Sequence, residues 1–154
     1  MKKPIVLDRY LTADFEALGF HDCRIRGIDW RDDNVTIAFM LDYITEWIHP
    51  VSDSQHFQFW IRPAVLVFFN VDDVEILLKW KALRLECCID ELCRGPDRLT
   101  PNGTTQWKWE FSLSEPSGAI DLWATGFELT MLGPAVKSDL PRLTSVDAMK
   151  LRCP

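Results

Sequence analysis

The most apolar stretch of the chain runs from Phe57 to Val71 and predicts a central β-strand. Between Ala64 and Val71 the apolar side chains alternate onto both faces of an extended strand, and most of them are β-branched or aromatic. A strand that is apolar on both faces is covered on both sides, so the other elements should pack around this segment. Pro63 lacks an amide hydrogen and therefore favours the start of the strand or a bulge in it.

A hairpin is predicted ahead of this strand. Residues 20–30 form its first strand, with a bulge at Gly27 where the apolar face changes, and residues 31–34 form a polar turn. From Val35 to Ile44 apolar and polar residues then alternate cleanly, which is the pattern of a half-buried strand. Asp42 falls on the polar side of this alternation, so we expect its carboxylate to face solvent.

The segment from Val74 to Arg94 has both helical and alternating spacing, and the period alone does not decide between the two structures. We interpret this segment as two strands, 74–80 and 83–90. The glycines, prolines and asparagine that follow predict a loop over residues 95–103.

The last third of the chain continues the β pattern. Clean alternation predicts a strand over 106–113, and alternation continues over 119–132 with a break of the register at Gly126. Prolines, lysine and aspartate in residues 133–154 predict an extended C-terminal tail packed on the surface, and residues 144–151 can add one or two helical turns.

One short helix is predicted near the N-terminus, within residues 8–18. Thr12 is suited to cap this helix, and Gly19 ends it. About six or seven strands separated by turn signals then predict a mainly β fold, at most α+β. The expected architecture is an antiparallel β-sandwich or a strongly curved sheet.

Length and composition bound the class of protein. With 154 residues, of which 47% are hydrophobic, the chain 1–154 should fold as a single domain with a substantial core. The net charge of −6 disfavours nucleic acid as a partner and suits a basic protein. No apolar run is long enough to span a membrane. Five cysteines without a CxxC motif or a secretory signal indicate free thiols in a reducing cytoplasm.

The adjacent residues His21 and Asp22 are the first candidates for chemistry. A histidine beside a carboxylate can act as a general base or hold a metal. Asp42 and Glu46 lie at the far end of the second hairpin strand, and a hairpin places its outer ends side by side. We therefore expect these four residues to converge at one edge of the sheet. The alternative is that His21 and Asp22 bond backbone groups and fix the entry of the chain into the sheet.

A second grouping adds His49 and His56 to Asp42 and Glu46. Imidazoles and carboxylates are ligands that bind divalent metals, but this spacing matches no closed zinc pattern. We therefore predict no metal site and no cofactor, and a solvated loop is the simpler interpretation. The sequence also lacks the motifs of phosphate-binding loops, dinucleotide-binding folds, serine hydrolases and zinc proteases.

Tryptophan is frequent, with seven residues in the chain. Core packing accounts for at least half of this set, and surplus aromatic residues often lie at interfaces. Trp107 and Trp109 share one face of a predicted strand, and Trp47 lies in the irregular connection 45–56. These three tryptophans are the candidate partner-binding residues.

Three segments resemble a family of small, uncharacterised bacterial proteins. They are the HDxxI opening at His21, the DYIxEW segment from Asp42 to Trp47, and the FWxxPAxLxFxNV segment from Phe59 to Val71. An AxGFEL piece around Phe127 extends the resemblance over most of the chain. The general plan is similar to that of immunity proteins of bacterial toxin systems, which implies a toxin-neutralising role and no established chemistry.

Together these observations favour a cytoplasmic, non-enzymatic protein-interaction module, immunity-like in its most specific form. The alternative is a small-ligand or metal-dependent enzyme that uses His21, Asp22, Asp42 and Glu46. A homodimer formed through exposed tryptophans or a sheet edge is compatible with either function.

Overall fold

The computed structural model describes residues 7–33, 35–81 and 86–144. In these residues it contains ten β-strands and one 3-10 helix, more strands than the sequence predicts. The elements in chain order are β1 (Arg9–Leu11), the helix η1 (Thr12–Ala17), β2 (Arg24–Trp30), β3 (Ile37–Ile48), β4 (Gln58–Phe69), β5 (Asp72–Lys79), β6 (Cys88–Leu99), β7 (Thr105–Glu115), β8 (Ser117–Ala124), β9 (Gly126–Met131) and β10 (Val136–Ser138).

All ten of these strands belong to one antiparallel sheet. The strands follow the order β1, β9, β4, β3, β2, β6, β7, β8 and β5, and β10 pairs with β4. The sheet is not closed, since β1 and β5 are its edges. The mainly β class and the antiparallel pairing predicted from sequence are confirmed.

The central position predicted for the apolar strand is confirmed, and this strand is β4. It pairs with β3 on one side, and on the other side with β10 over Phe59–Ile61 and with β9 over Ala64–Phe69. Pro63 lies inside the strand and not at its start. Its carbonyl accepts a hydrogen bond from the Leu132 amide at 2.7 Å. The amide hydrogen that proline lacks would point to the same side of β4, into the gap between the end of β9 and the start of β10.

The sheet folds back on itself at a narrow junction between β2 and β6. These two strands pair only at Arg24 and Cys88. Beyond the junction, β7 packs across the core on β3 and β4: the ring of Phe111 lies 4.9 Å from that of Phe39, and the ring of Trp109 lies 5.5 Å from that of Phe68. The strongly curved, sandwich-like arrangement therefore places one core between the two halves of the sheet.

The predicted N-terminal helix is present as the 3-10 helix η1, but Thr12 is not its cap. The Leu11 amide donates to Asp14 Oδ2 at 2.7 Å, which satisfies an amide at the start of the helix. The Thr12 hydroxyl instead accepts from the Phe127 amide at 2.8 Å and so ties the helix to β9. Among the described residues, no helix is long and apolar enough to cross a membrane.

The two strands and the loop predicted between residues 74 and 103 have different bounds in the structure. The strands predicted over 74–80 and 83–90 are present as β5 and β6, although residues 82–85 lie outside the described part. The loop predicted over 95–103 is wrong for its first half, because β6 continues to Leu99. Gly95 and Pro96 are accommodated in a bulge opposite β7, where the register shifts.

The register break predicted at Gly126 separates two strands, β8 and β9, because the chain crosses from one half of the sheet to the other at Thr125. β8 pairs with β7, whereas β9 pairs with β4. At Gly126 a β-carbon would collide with the Thr12 hydroxyl, so glycine permits the close approach of η1. The irregular connection predicted over 45–56 is shorter than expected, since β3 runs to Ile48.

The segment after residue 132 lies against β4. β10 pairs with the first half of β4, and Leu143 is buried in the core. The helical turns suggested for 144–151 lie outside the described residues except for Thr144.

Replacing Trp109 by alanine should destabilise the protein by about 3–5 kcal/mol. Trp109 is fully buried and packs against Phe15, Phe68 and Phe127, so its removal leaves a large cavity. The free energy of unfolding in urea measures the loss. The matched control is Trp30→Ala, because Trp30 is 60% exposed and its removal should cost less than about 0.5 kcal/mol. Equal losses in the two variants would contradict the packing described here.

Candidate functional site

His21 is exposed and lies in the turn that precedes β2. Its Nδ1 lies 2.8 Å from the backbone carbonyl oxygen of Asp90 on β6, and this oxygen only accepts, so Nδ1 carries the proton. Its Nε2 lies 3.7 Å from Asp22 Oδ2. The imidazole also stacks on Trp47, with ring centroids 6.0 Å apart and planes inclined by 12°. His21 therefore joins the β2–β6 junction to the end of β3.

Asp22 fixes the entry of the chain into β2. Its φ of 61° lies in the left-handed region, which aspartate tolerates better than most residues. Its amide donates to the Ile89 carbonyl at 2.8 Å, and the Ile89 amide donates to the Cys23 carbonyl at 2.9 Å. These backbone bonds agree with the alternative in which His21 and Asp22 fix the start of the strand.

Asp42 is fully buried, so the expectation of a solvent-facing carboxylate is wrong. Its Oδ1 lies 2.9 Å from Arg26 Nε in an ion pair whose geometry is not that of a hydrogen bond, and its Oδ2 accepts from the Leu143 amide at 3.1 Å. Burial raises the pKa of this carboxyl, and the charge of Arg26 opposes that shift. The carboxylate holds together β2, β3 and the segment after β10.

The four candidate residues do not form one cluster through their contacts. His21 and Asp22 lie together, whereas no hydrogen bond or ion pair in the described residues joins Asp42 or Glu46 to them. Glu46 is exposed beyond a bulge in β3. In the described part of the chain, no group of three or more histidine, cysteine or acidic side chains is placed to hold a metal ion.

An aromatic cluster lies at the loop end of the β3–β4 hairpin, beside the segment that connects the two strands. Trp47 is its centre, with ring centroids 5.9 Å from Phe57 and 5.0 Å from Phe59, in addition to the stacked His21. The ring of His49 also lies against Phe57, with centroids 5.1 Å apart. Phe59 is buried beneath the cluster, whereas Phe57 is 41% exposed, so the cluster presents aromatic surface to solvent.

An acidic cleft of about 510 Å³ adjoins this cluster between η1 and β6. Glu16, Asp90 and Glu91 line the cleft and carry three negative charges, against the single positive charge of Arg94. Arg94 lies 3.6 Å from Glu16, so part of its charge is already neutralised. His21 lines the cleft as well and connects it to the aromatic cluster. We call the cleft and the cluster together the acidic aromatic surface.

The cysteines near this surface are not activated nucleophiles. Burial raises the pKa of the Cys93 thiol at the wall of the cleft, and hydrogen bonding to Glu91 adds to the shift. Burial also raises the pKa of Cys23 to about 12, which keeps this thiol protonated. The four cysteines in the described residues are free, as predicted: Cys23, Cys87, Cys88 and Cys93.

The tryptophans proposed for partner binding divide into different environments. Trp109 is fully buried in the core and offers no surface to a partner, so its assignment was wrong. Trp107 is half-buried against the core, and Trp47 lies in the aromatic cluster. Trp30 and Trp80 are more exposed, and neither is among the three tryptophans predicted to bind a partner.

Several residues of the acidic aromatic surface were missed from the sequence. Phe57 lies beside Trp47 because β3 and β4 form a hairpin, so an assignment of this hairpin would have found the pair. Asp90 and Arg94 reach the site only through the pairing of β2 with β6, which no local pattern indicates.

Comparison of the chain with protein-family models, with curated proteins and with solved structures finds no significant match.

The variant Asp42→Asn should gain stability relative to the native protein as the pH rises from 3.8, the ordinary value for this carboxyl, through the raised pKa of Asp42. Because the pKa of Asp42 is raised in the folded state, the folded protein keeps this proton to higher pH than the unfolded chain does. The native free energy of unfolding therefore falls as the pH rises from the ordinary value of 3.8 through the raised pKa, and this contribution is constant above it. Asparagine does not titrate, so the free energy of unfolding of the variant lacks this contribution. The difference in the free energy of unfolding between variant and native protein therefore increases over the same pH range.

Urea unfolding over a pH series measures this difference. Asp33→Asn is a control of opposite sign, because hydrogen bonds from Thr36 and Val35 lower the pKa of Asp33 and stabilise its ionised form. That variant should lose stability relative to the native protein as the pH rises. A loss of the same sign in Asp42→Asn would show that the attraction of Arg26 outweighs burial.

Proposed function

We propose that the chain is a non-enzymatic interaction module that binds a basic protein through the acidic aromatic surface. The observation that carries the proposal is the stacking of His21 on Trp47, which makes the acidic cleft and the aromatic cluster one continuous surface. Each part alone is an ordinary surface feature. Joined together, they combine a charge attractive to a basic partner with exposed aromatic area.

The charge of the cleft supports a basic partner. Glu16, Asp90 and Glu91 outnumber Arg94, and the chain as a whole carries a net charge of −6. Complementary charge speeds the encounter of two proteins and selects against partners of the wrong sign. The same charge repels the phosphate backbone of a nucleic acid, so a protein partner is the better match.

The aromatic cluster supports a short anchoring contact. Tryptophan and tyrosine, together with arginine, carry much of the binding energy at protein interfaces when they become covered. Trp47 is held in place by Phe57 and Phe59, so little rotational freedom is lost on binding. A lysine or arginine of the partner could stack on the exposed ring of Phe57 or Trp47.

An immunity-like role is the most specific form of this proposal. In that role the chain would cover the basic surface of a toxin and block it, in line with the resemblance of its general plan to immunity proteins. A cytoplasmic location fits the free thiols of the described cysteines.

A small-ligand enzyme is the second candidate, and one observation favours it. His21 lies 3.7 Å from carboxylate oxygens of both Asp22 and Asp90, and a histidine beside carboxylates is a common arrangement in enzyme sites. The weakness of this candidate is that Asp42 is occupied by Arg26 and Leu143, so the four-residue set is incomplete.

Capture of partners from native lysate by the tagged chain, at near-physiological salt, tests the proposal. We expect one stoichiometric basic protein, and we expect Trp47→Ala to weaken its binding by at least about 2 kcal/mol, roughly thirtyfold. Because Trp47 also packs on the core, the double variant Asp90→Lys, Glu91→Lys provides a second test on exposed side chains, and it should weaken binding by about tenfold or more.

The matched control is Trp30→Ala, which removes an exposed tryptophan outside this surface and should bind as the native chain does. Folding of every variant is checked by its unfolding transition. The proposal is wrong if no stoichiometric partner is captured, or if the captured partner binds the surface variants and the control equally well.

A further inference from the structure

β5 is an edge strand with uncovered apolar side chains. In the described residues it pairs only with β8, so its other side carries no strand. Leu77 is 55% exposed on one face of β5, and Ile76 is 37% exposed on the other. An exposed edge of this kind is a template for pairing with a further strand.

The face that carries Ile76 continues the hydrophobic core. Ile76 lies opposite the fully buried Ile120 of β8, and Leu78 packs against the margin of the core. The core is therefore open on the side of β5. A strand added at this edge would extend the sheet and cover Ile76.

The charges of β5 are not balanced within one chain. Glu75 lies directly opposite Asp121 on β8, and like charges in opposed positions repel each other. Burial raises the pKa of Asp121, and the neighbouring charges of Glu110 and Glu75 add to this shift. In the described part of the chain, Lys79 takes part in no ion pair. Lys108 attracts Glu75, but its ion pairs are with Glu110 and Asp121, so within the described residues neither Glu75 nor Lys79 forms an ion pair of its own.

We propose that β5 pairs antiparallel with β5 of a second copy of the chain, about a two-fold axis at Leu77. In this register Glu75 of each copy lies opposite Lys79 of the other copy, and Ile76 lies opposite Leu78. Leu77 faces its own counterpart. Each acidic residue meets a lysine and each apolar residue meets an apolar residue, as a self-complementary two-fold interface requires.

Neighbouring registers lack this match. An axis at Ile76 sets Glu75 against Leu77, and an axis at Leu78 sets Leu77 against Lys79. An axis between two residues places the apolar face of one copy beside the charged face of the other, because side chains alternate along a strand. The register about Leu77 is the one in which both charge and apolar character agree.

The dimer interface is separate from the acidic aromatic surface. β7 and β8 lie between β5 and β6 in the sheet, and β6 carries Asp90 and Glu91 of the cleft. The dimer and the partner complex can therefore form independently of each other. Variants that alter one surface should leave binding at the other surface unchanged.

Sedimentation equilibrium of the purified full chain over a range of concentrations tests the dimer. Glu75→Lys and Lys79→Glu each replace two attractive pairs by two repulsive ones and should each raise the dimer dissociation constant by about tenfold or more. The double variant Glu75→Lys, Lys79→Glu exchanges the two charges and should restore the native constant. Leu77→Lys places two lysines together on the axis and should abolish the dimer.

Val51→Lys is the matched control, because Val51 is exposed in the connection between β3 and β4 and should leave the dimer unchanged. Far-ultraviolet circular dichroism of each variant verifies that the sheet has formed. The proposal is overturned if the native chain is still monomeric at about 1 mM, or if the dimer survives Leu77→Lys. Failure of the charge exchange to restore the dimer would overturn the register.

Discussion

The aromatic contact across the core is the interaction on which the rest of the structure depends. Trp109 and Phe111 of β7 pack on Phe68 and Phe39 of the other half of the sheet. Among the described residues, strand pairing between the two halves is limited to the short β2–β6 junction and supplies little by itself. Burial of these rings, each a large apolar surface, therefore holds the sheet in its folded-over form.

The folded-over sheet also creates the candidate site. Its narrow junction places Asp90 of β6 beside His21, and the imidazole then reaches Trp47 at the end of β3. Asp90 and Glu91 of the cleft and Trp47 of the aromatic cluster come from opposite halves of the sheet, and His21 contacts both parts of the surface. The buried ion pair of Asp42 stiffens the same region, because it ties β2 and β3 to the segment after β10.

The local sequence pattern was sufficient to predict the strands that alternate cleanly and the apolar strand β4. Burial of one face requires alternating apolar residues, and burial of both faces requires a continuous apolar run, so both are visible in the sequence. The pattern failed at Asp42, whose position looks polar and solvated until Arg26 and Leu143 are brought to it by long-range pairing. It failed for Trp109 in the same way, since alternation assigns a residue to a face without stating what covers that face. Asp90 and Arg94 had no local signal, as their role depends on a junction between strands distant in the chain.

The central claim is that the acidic aromatic surface binds a basic protein. Zero-length carbodiimide cross-linking of the chain to its captured partner tests it directly, because this reagent joins carboxylates to lysines that are already in contact. The account predicts cross-links from Glu16, Asp90 and Glu91 to lysines of the partner. Cross-links confined to carboxylates elsewhere, such as Asp32 in the β2–β3 turn or Asp53 in the β3–β4 connection, would contradict it.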